Sequence, residues 1–191
     1  HIHQSVVVSA TGEPLFSTPE GGPSDAFRHF IGGQQAYLRA ACCLMAPYVN
    51  SYRRLVPGLT APINLDWGRD NRTTGLRVPI ADAASRRVEN RVVGADANPY
   101  LAIAATLAAG YLGMIEGIEP REEVTTDSYD RDRGLPYGLL EAVEEFQNCA
   151  PLRQVLGKGF SNLYSAVKLH EYEEFMRVIS PWEREHLLLN V

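Results

Sequence analysis

Nineteen consecutive residues, Ala97 to Ile115, carry no charge, and this run constrains the fold more than any other feature of the chain. Asn98 followed by Pro99 reads as an N-cap with proline in the first turn, so the run opens a helix. A helix that is apolar on all sides needs either a bilayer or a protein core around it. The run is long enough to span a membrane, yet it includes Asn98, Pro99, Thr106, Gly110 and Gly113, and its apolar residues are mostly alanine, which gains little in lipid. A core helix and no membrane role are therefore expected. The chain can supply the core, since 191 residues that are 45% hydrophobic and 21% charged make up an ordinary folded domain.

Around this helix the pattern alternates between strand-like and helical stretches. Ile2 and Val6 to Val8 read as a strand, followed by a Gly/Pro/Ser-rich loop from Thr11 to Pro23. From Ser24, a good N-cap, Phe27, Phe30, Ile31, Tyr37, Leu38 and Ala41 recur at helical spacing, which predicts one amphipathic helix ending at Pro47. Short strands are expected within Pro62 to Trp67, Leu76 to Pro79 and Val88 to Val93, and residues 116 to 134 read as an exposed polar loop. Leu139, Val143 and Phe146 space one further helix, and Phe160 to Phe175 another. Ser180-Pro181-Trp182-Glu183 forms a capping box for a last helix ending near Leu189. Three cysteines, Cys42, Cys43 and Cys149, fit neither a disulfide framework nor a zinc spacing, so a reducing, cytoplasmic location is expected. The opening residues hold no secretory signal and no initiator Met, and they read as the continuation of a longer protein.

Charge is distributed unevenly. The net charge of -5 argues against a broad nucleic-acid surface. Eight arginines nevertheless fall between Arg53 and Arg91 against four acids, a local +4, whereas residues 116 to 191 hold 15 acids and 8 bases. Codon bias accounts for a preference for arginine over lysine but not for the clustering. Phosphate is the natural counter-charge, because phosphoryl transfer is catalysed chiefly by positioning and by cations on the equatorial oxygens. No Walker-type glycine loop and no G-x-G-x-x-G occurs, so arginines and metals would have to hold a nucleotide.

Side chains alternate along a strand, so His1, His3 and Ser5 share a face and could serve a metal ion and a phosphate oxygen; taken alone, a His-x-His is as readily a surface pair or a tag remnant. Glu89 and Arg91 share a face in the same way. An isolated Glu and Arg so placed would be a structural ion pair, but beside a metal they divide the work, Glu89 taking the cation and Arg91 an anionic group. Arg72 and Arg77 are an odd number of residues apart, so both reach one site only if Arg72 lies in the loop before the strand or a bulge intervenes.

Five stretches carry a resemblance: His1-Ile2-His3-Gln4-Ser5; Asn50-Ser51-Tyr52-Arg53-Arg54-Leu55-Val56-Pro57-Gly58; Asn71-Arg72-Thr73-Thr74-Gly75-Leu76-Arg77-Val78-Pro79; Arg86-Arg87-Val88-Glu89-Asn90-Arg91; and Ala97-Asn98-Pro99-Tyr100-Leu101-Ala102. In this order they resemble the signature blocks of the glutamine synthetase catalytic domain. The helical remainder is similar more loosely, through Leu135-Pro136 and Trp182-Glu183. The resemblance implies an α+β fold in which antiparallel strands carry the site and helices back them, with residues 1 to 191 the C-terminal portion of that domain and the small N-terminal domain absent. It implies ATP and Mg2+ or Mn2+ as cofactors, glutamate and ammonia or an organic amine as substrates, a γ-glutamyl phosphate intermediate and a ring-forming homo-oligomer. By residue, it places a metal at His1 and Glu89, the nucleotide at His3, Ser5, Arg72 and Arg77, the transferring phosphoryl group at Arg72, and glutamate at Arg54 and Arg91.

Departures from the pattern refine these expectations. Ammonia-using members carry a glutamate on a mobile flap just before the Ala-Pro that matches Ala61-Pro62, and Thr60 stands there instead. A neutral hydroxyl cannot attract a small cation as a carboxylate does, which favours a larger amine and the γ-glutamylpolyamine synthetase branch. Ala84 replaces a lysine that many members place near the nucleotide phosphates. Tyr129 falls near the modified tyrosine of some bacterial members, but Asp127-Ser128-Tyr129-Asp130 does not match, so that regulation is not expected. The family's upstream metal ligands have no equivalent here, so the chain alone is expected to be inactive. Two rival readings remain: a structural relative without turnover, and phosphoryl transfer to a guanidino compound, which would not need Glu89 and Arg91 beside a histidine metal site.

Overall fold

The computed structural model describes residues 1–190. Four three-residue strands form one open sheet: β1 (Ile2–Gln4), β2 (Trp67–Arg69), β3 (Leu76–Val78) and β4 (Val88–Asn90), in the order β1-β4-β3-β2. β4 runs antiparallel to both neighbours, while β2 and β3 pair in parallel. A parallel pair normally needs a crossover of a dozen residues or more. These strands are so short that residues 70–75 suffice for the return, turning at Asp70 with φ 50°.

One face of the sheet is apolar: Leu76, Val78 and Val88 join Phe16, Phe27, Phe30 and Leu112 in a single core. Helix α1 (Asp25–Tyr37) starts where the Ser24 hydroxyl accepts the Phe27 amide at 3.2 Å, and it buries Phe27, Phe30 and Ile31. The helix expected to continue to Pro47 breaks at residues 38–41 and resumes as α2 (Cys42–Met45). Residues 40–46 are all buried, a run that a one-sided surface helix cannot provide, so the chain turns inward. At the bend Arg39 ties to Glu141, Glu145 and the Gly134 carbonyl.

The uncharged run becomes α3 (Pro99–Glu116), with the Asn98 side chain accepting the amides of Tyr100 and Leu101. It is long and apolar enough to cross a membrane, but it packs along α1. Small residues permit the contact: a Cβ on Gly33 would lie 2.3 Å from the Ala109 carbonyl oxygen and 2.5 Å from Gly113 Cα. Burial is one-sided, however, and Ile103, Leu107, Tyr111 and Ile115 stay exposed. The remaining helices are α4 (Leu139–Asn148), α5 (Ala150–Leu156), α6 (Lys158–Met176) and α7 (Pro181–His186). The sequence pattern gave no sign of α5. The capping box forms between Ser180 and Glu183, and α7 ends earlier than expected, with a single turn of 3-10 helix after it.

The polar segment 116–134 covers the free edge of β2 rather than standing clear of the sheet. Val124 N donates to Trp67 O at 2.9 Å, and Glu123 accepts from Arg69.

Candidate functional site

Register builds the site. In the antiparallel ladders His3 and Arg77 both lie opposite Glu89, and directly opposed residues share a face. His1 is two residues before His3 and Arg91 two after Glu89, so alternation returns both to that face. The other face carries Leu76, Val88 and Asn90 into the interior, where the Asn90 amide donates to Gln34 Oε1 at 3.0 Å.

Glu89, only 4% exposed, is the hub. Its Oε2 accepts from Arg77 Nη1 at 2.8 Å; its Oε1 meets His1 Nδ1 at 3.1 Å, Arg91 Nη1 at 3.3 Å and His3 Nε2 at 3.8 Å. A buried carboxylate persists only with such partners. The Glu89 hydrogen bond, first among the causes, raises the Arg77 pKa above its ordinary value, with Asp70 adding to it. Arg91 is buried too; one nitrogen donates to the Thr60 carbonyl at 3.1 Å, while its Nε is buried with no partner. An anion in the cleft would satisfy that donor.

The cleft over this face has a volume of about 510 Å³. His1, Arg77, Glu89 and Arg91 form its floor, and Gly58, Thr60, Arg72, Thr73 and Tyr129 form its walls. Arg72 lies in the loop before β3, which removes the difficulty of its odd spacing from Arg77. It is exposed and has no ion-pair partner among the described residues, so its charge is free to face a ligand.

Arg86, Arg69 and Arg54 are used structurally. Arg86 donates to the carbonyls of Phe16, Gly21 and Gly22, and Arg69 is paired with Glu123. Arg54 does not line the cleft; its guanidinium donates to the Val92 carbonyl behind the wall, and burial holds its pKa below the ordinary value against the opposing pull of Asp96. His3 touches Glu89 without lining the cleft, and Ser5 is exposed one residue beyond β1.

Two ligands at right angles on a cation with bonds of about 2.1 Å stand about 3.0 Å apart, so the 3.1 Å between His1 and Glu89 suits a shared divalent ion. Among the described residues no group of three His, Cys, Asp or Glu side chains is placed to hold a metal. The chain thus offers one carboxylate and one imidazole; the carboxylate suits Mg2+ or Mn2+ completed by phosphates and water, and the imidazole is the softer donor of the two, which favours Mn2+.

Sequence reasoning missed Tyr129 as a wall of this cleft. It is half-buried, and its hydroxyl donates to the Ala61 carbonyl at 2.9 Å. Burial raises its pKa, opposed by the nearby Arg91. No local spacing signals this placement, which depends on the 116–134 segment folding back along β2.

Residues 1–187 match the family model described as glutamine synthetase, catalytic domain. Gamma-glutamylputrescine synthetase PuuA of Escherichia coli is 38% identical over 100% of this chain and 40% of its own length. Gamma-glutamylethanolamide synthetase GlnA4 of Streptomyces coelicolor is 38% identical over 96% of the chain and 39% of its own. A glutamine synthetase of Thermococcus kodakarensis is 37% identical over 94% and 42%. A solved structure of an ADP complex of GmaS superposes with a TM-score of 0.85 at 32% identity, covering 97% of this chain and 45% of that one. The chain therefore spans about two fifths of the length of the curated relatives it matches.

Proposed function

Since this chain belongs to the glutamine synthetase family, we propose that residues 1–191 form the C-terminal portion of the catalytic domain of an ATP-dependent ligase, which joins the side-chain carboxylate of glutamate to an amine. The observation that carries this reading is the sheet face on which Glu89 meets His1 on one side and Arg77 and Arg91 on the other.

In this reading Glu89 and His1 hold a Mg2+ or Mn2+ ion, which would neutralise nucleotide phosphate charge when bound. Arg77, fixed by Glu89 and Asp70, and Arg72, which has no ion-pair partner among the described residues, stand beside the phosphates, where Arg72 stabilises the charge that builds on the transferring phosphoryl group. Arg91 grips glutamate with its free donors, and Arg54 acts from behind by bracing the Val92 backbone. His3 and Ser5 lie on the nucleotide side. A glutamate side-chain oxygen attacks the γ-phosphorus and ADP leaves. The amine nitrogen then attacks the acyl carbon, phosphate departs with the former carboxylate oxygen, and the proton lost by the nitrogen ends on the phosphate.

Thr60 supports an organic amine over ammonium as the acceptor. A neutral side chain at the cleft wall gives a small cation no charge to approach, whereas an alkyl amine brings its own surface to bury. The test is glutamate-dependent ADP release by the protein carrying this chain, with ammonium, putrescine, spermidine and ethanolamine compared. An organic amine should give the highest kcat/KM. Preference for ammonium would refute the role given to Thr60, and assembly without turnover on any amine would favour the structural relative.

A further inference from the structure

Two successive carbonyls of the loop that walls the cleft are held by side chains from distant parts of the chain. Arg91 donates to Thr60 O at 3.1 Å, and the Tyr129 hydroxyl donates to Ala61 O at 2.9 Å. Packing contributes little here, since residues 57–60 are all exposed and burial begins only at Ala61. The backbone is also strained: Thr60 has φ 62°, a left-handed conformation that a β-branched residue rarely adopts. A strained, exposed loop keeps one conformation only if outside contacts over-determine it, and these two bonds are those contacts.

Tyr129 is well mounted for this task. It lies in a short turn, Ser128–Asp130, whose backbone is tied on both sides: the Thr73 hydroxyl accepts from Ser128 N at 2.8 Å, and Asn64 donates to Ser128 O at 2.8 Å. Thr73 belongs to the loop that also carries Arg72. The Tyr129 ring lines the cleft together with Thr60 and Arg91.

We propose that Tyr129 is a positioning residue whose hydroxyl latches this loop across the cleft and so fixes Thr60 where the amine enters. The proposal rests on the ligase reading above. With the latch gone, the strain at Thr60 favours an open loop. Water then attacks the acyl phosphate in place of the amine, releasing phosphate and returning glutamate, so that ATP is consumed without amide being formed.

Tyr129→Phe keeps the ring and removes only the hydroxyl. Chymotryptic cleavage after Leu59 of the protein carrying this chain reports opening of the loop without any need for activity. Loss of one hydrogen bond should speed cleavage there by about fivefold while leaving cleavage elsewhere unchanged. In the same variant the KM for the amine should rise and phosphate released per amide formed should exceed the wild-type ratio severalfold, with the KM for ATP unchanged. Unchanged cleavage overturns the latch. Faster cleavage with an unchanged phosphate-to-amide ratio and amine KM overturns its role in positioning Thr60. If the wild type forms no amide, the ligase reading fails, and the cleavage result alone decides the latch.

Discussion

Glu89→Gln removes the carboxylate charge shared by Arg77, Arg91 and His1 while preserving the size of the side chain. The three contacts lie at 2.8, 3.3 and 3.1 Å around a side chain that is 5% exposed. Arg77 keeps Asp70 as a partner, but Arg91 keeps only the Thr60 carbonyl, and its Nε has no partner even with Glu89 in place. Breaking a buried ion pair from one side costs about 3–5 kcal/mol. The amide oxygen of glutamine recovers about 1 kcal/mol of hydrogen bonding, which leaves a loss of about 3 kcal/mol. For a domain of this size that lowers Tm by about 6–12 °C. Thermal unfolding followed by circular dichroism measures it directly. Added phosphate should recover part of the loss, since the guanidinium pair that has lost its carboxylate then binds an anion in the native state and not in the unfolded one. A Tm within about 1 °C of wild type would show that Glu89 is not the hub of a buried charge cluster, and the site would have to be rebuilt on other residues.

Other perturbations test separate parts of the structure. Gly33→Ala places a methyl group 2.3 Å from the Ala109 carbonyl and should destabilise the protein by about 2–3 kcal/mol through overpacking, read as a lower urea midpoint; an unchanged midpoint would mean that α1 and α3 do not approach so closely. His1→Ala should weaken Mn2+ binding at least about tenfold by calorimetry while shifting stability by less than about 1 kcal/mol, because this histidine is 38% exposed; equal affinity would remove it from the metal pair. The hydrogen bonds of Arg69 hold the Glu123 carboxyl below the usual carboxylate range. A lowered folded-state pKa means that the contribution is complete above the unfolded value and is lost as pH falls through the folded one. Exchange at the Val124 amide should therefore speed up beyond its intrinsic pH dependence only on acidification below the ordinary carboxylate pKa, and the Glu123→Gln variant should lack this transition.

Local chemistry was readable from the sequence where short-range rules decide the outcome. Asn98-Pro99 caps α3 and the Ser180/Glu183 box opens α7 as the residues predict, because a cap is settled within four residues. Alternation alone put His1 with His3 and Glu89 with Arg91, and the resemblance supplied the link between the two pairs. Register converts that link into contacts, and register is a tertiary property. The clustered arginines gave the correct sign of charge but overstated the site. Arg54, Arg69 and Arg86 are used on carbonyls or carboxylates of the scaffold, and only Arg72, Arg77 and Arg91 line the cleft. The break after Tyr37 was hidden because buried residues continue at a spacing that fits a helix as well as a turn. Tyr129 was hidden because it is surrounded by charged residues that mark a loop without marking where the loop packs.

Glutamate labelled with heavy oxygen in its side-chain carboxylate, supplied with ATP and the preferred amine, reports the fate of the bond on which the arginine and metal arrangement acts. Mass analysis of the released inorganic phosphate should find one labelled oxygen carried over for every amide formed, since the carboxylate must accept the phosphoryl group before the amine displaces it. Amide formation with unlabelled phosphate would mean that the carboxylate is never phosphorylated and that the cations around Glu89 serve a different reaction.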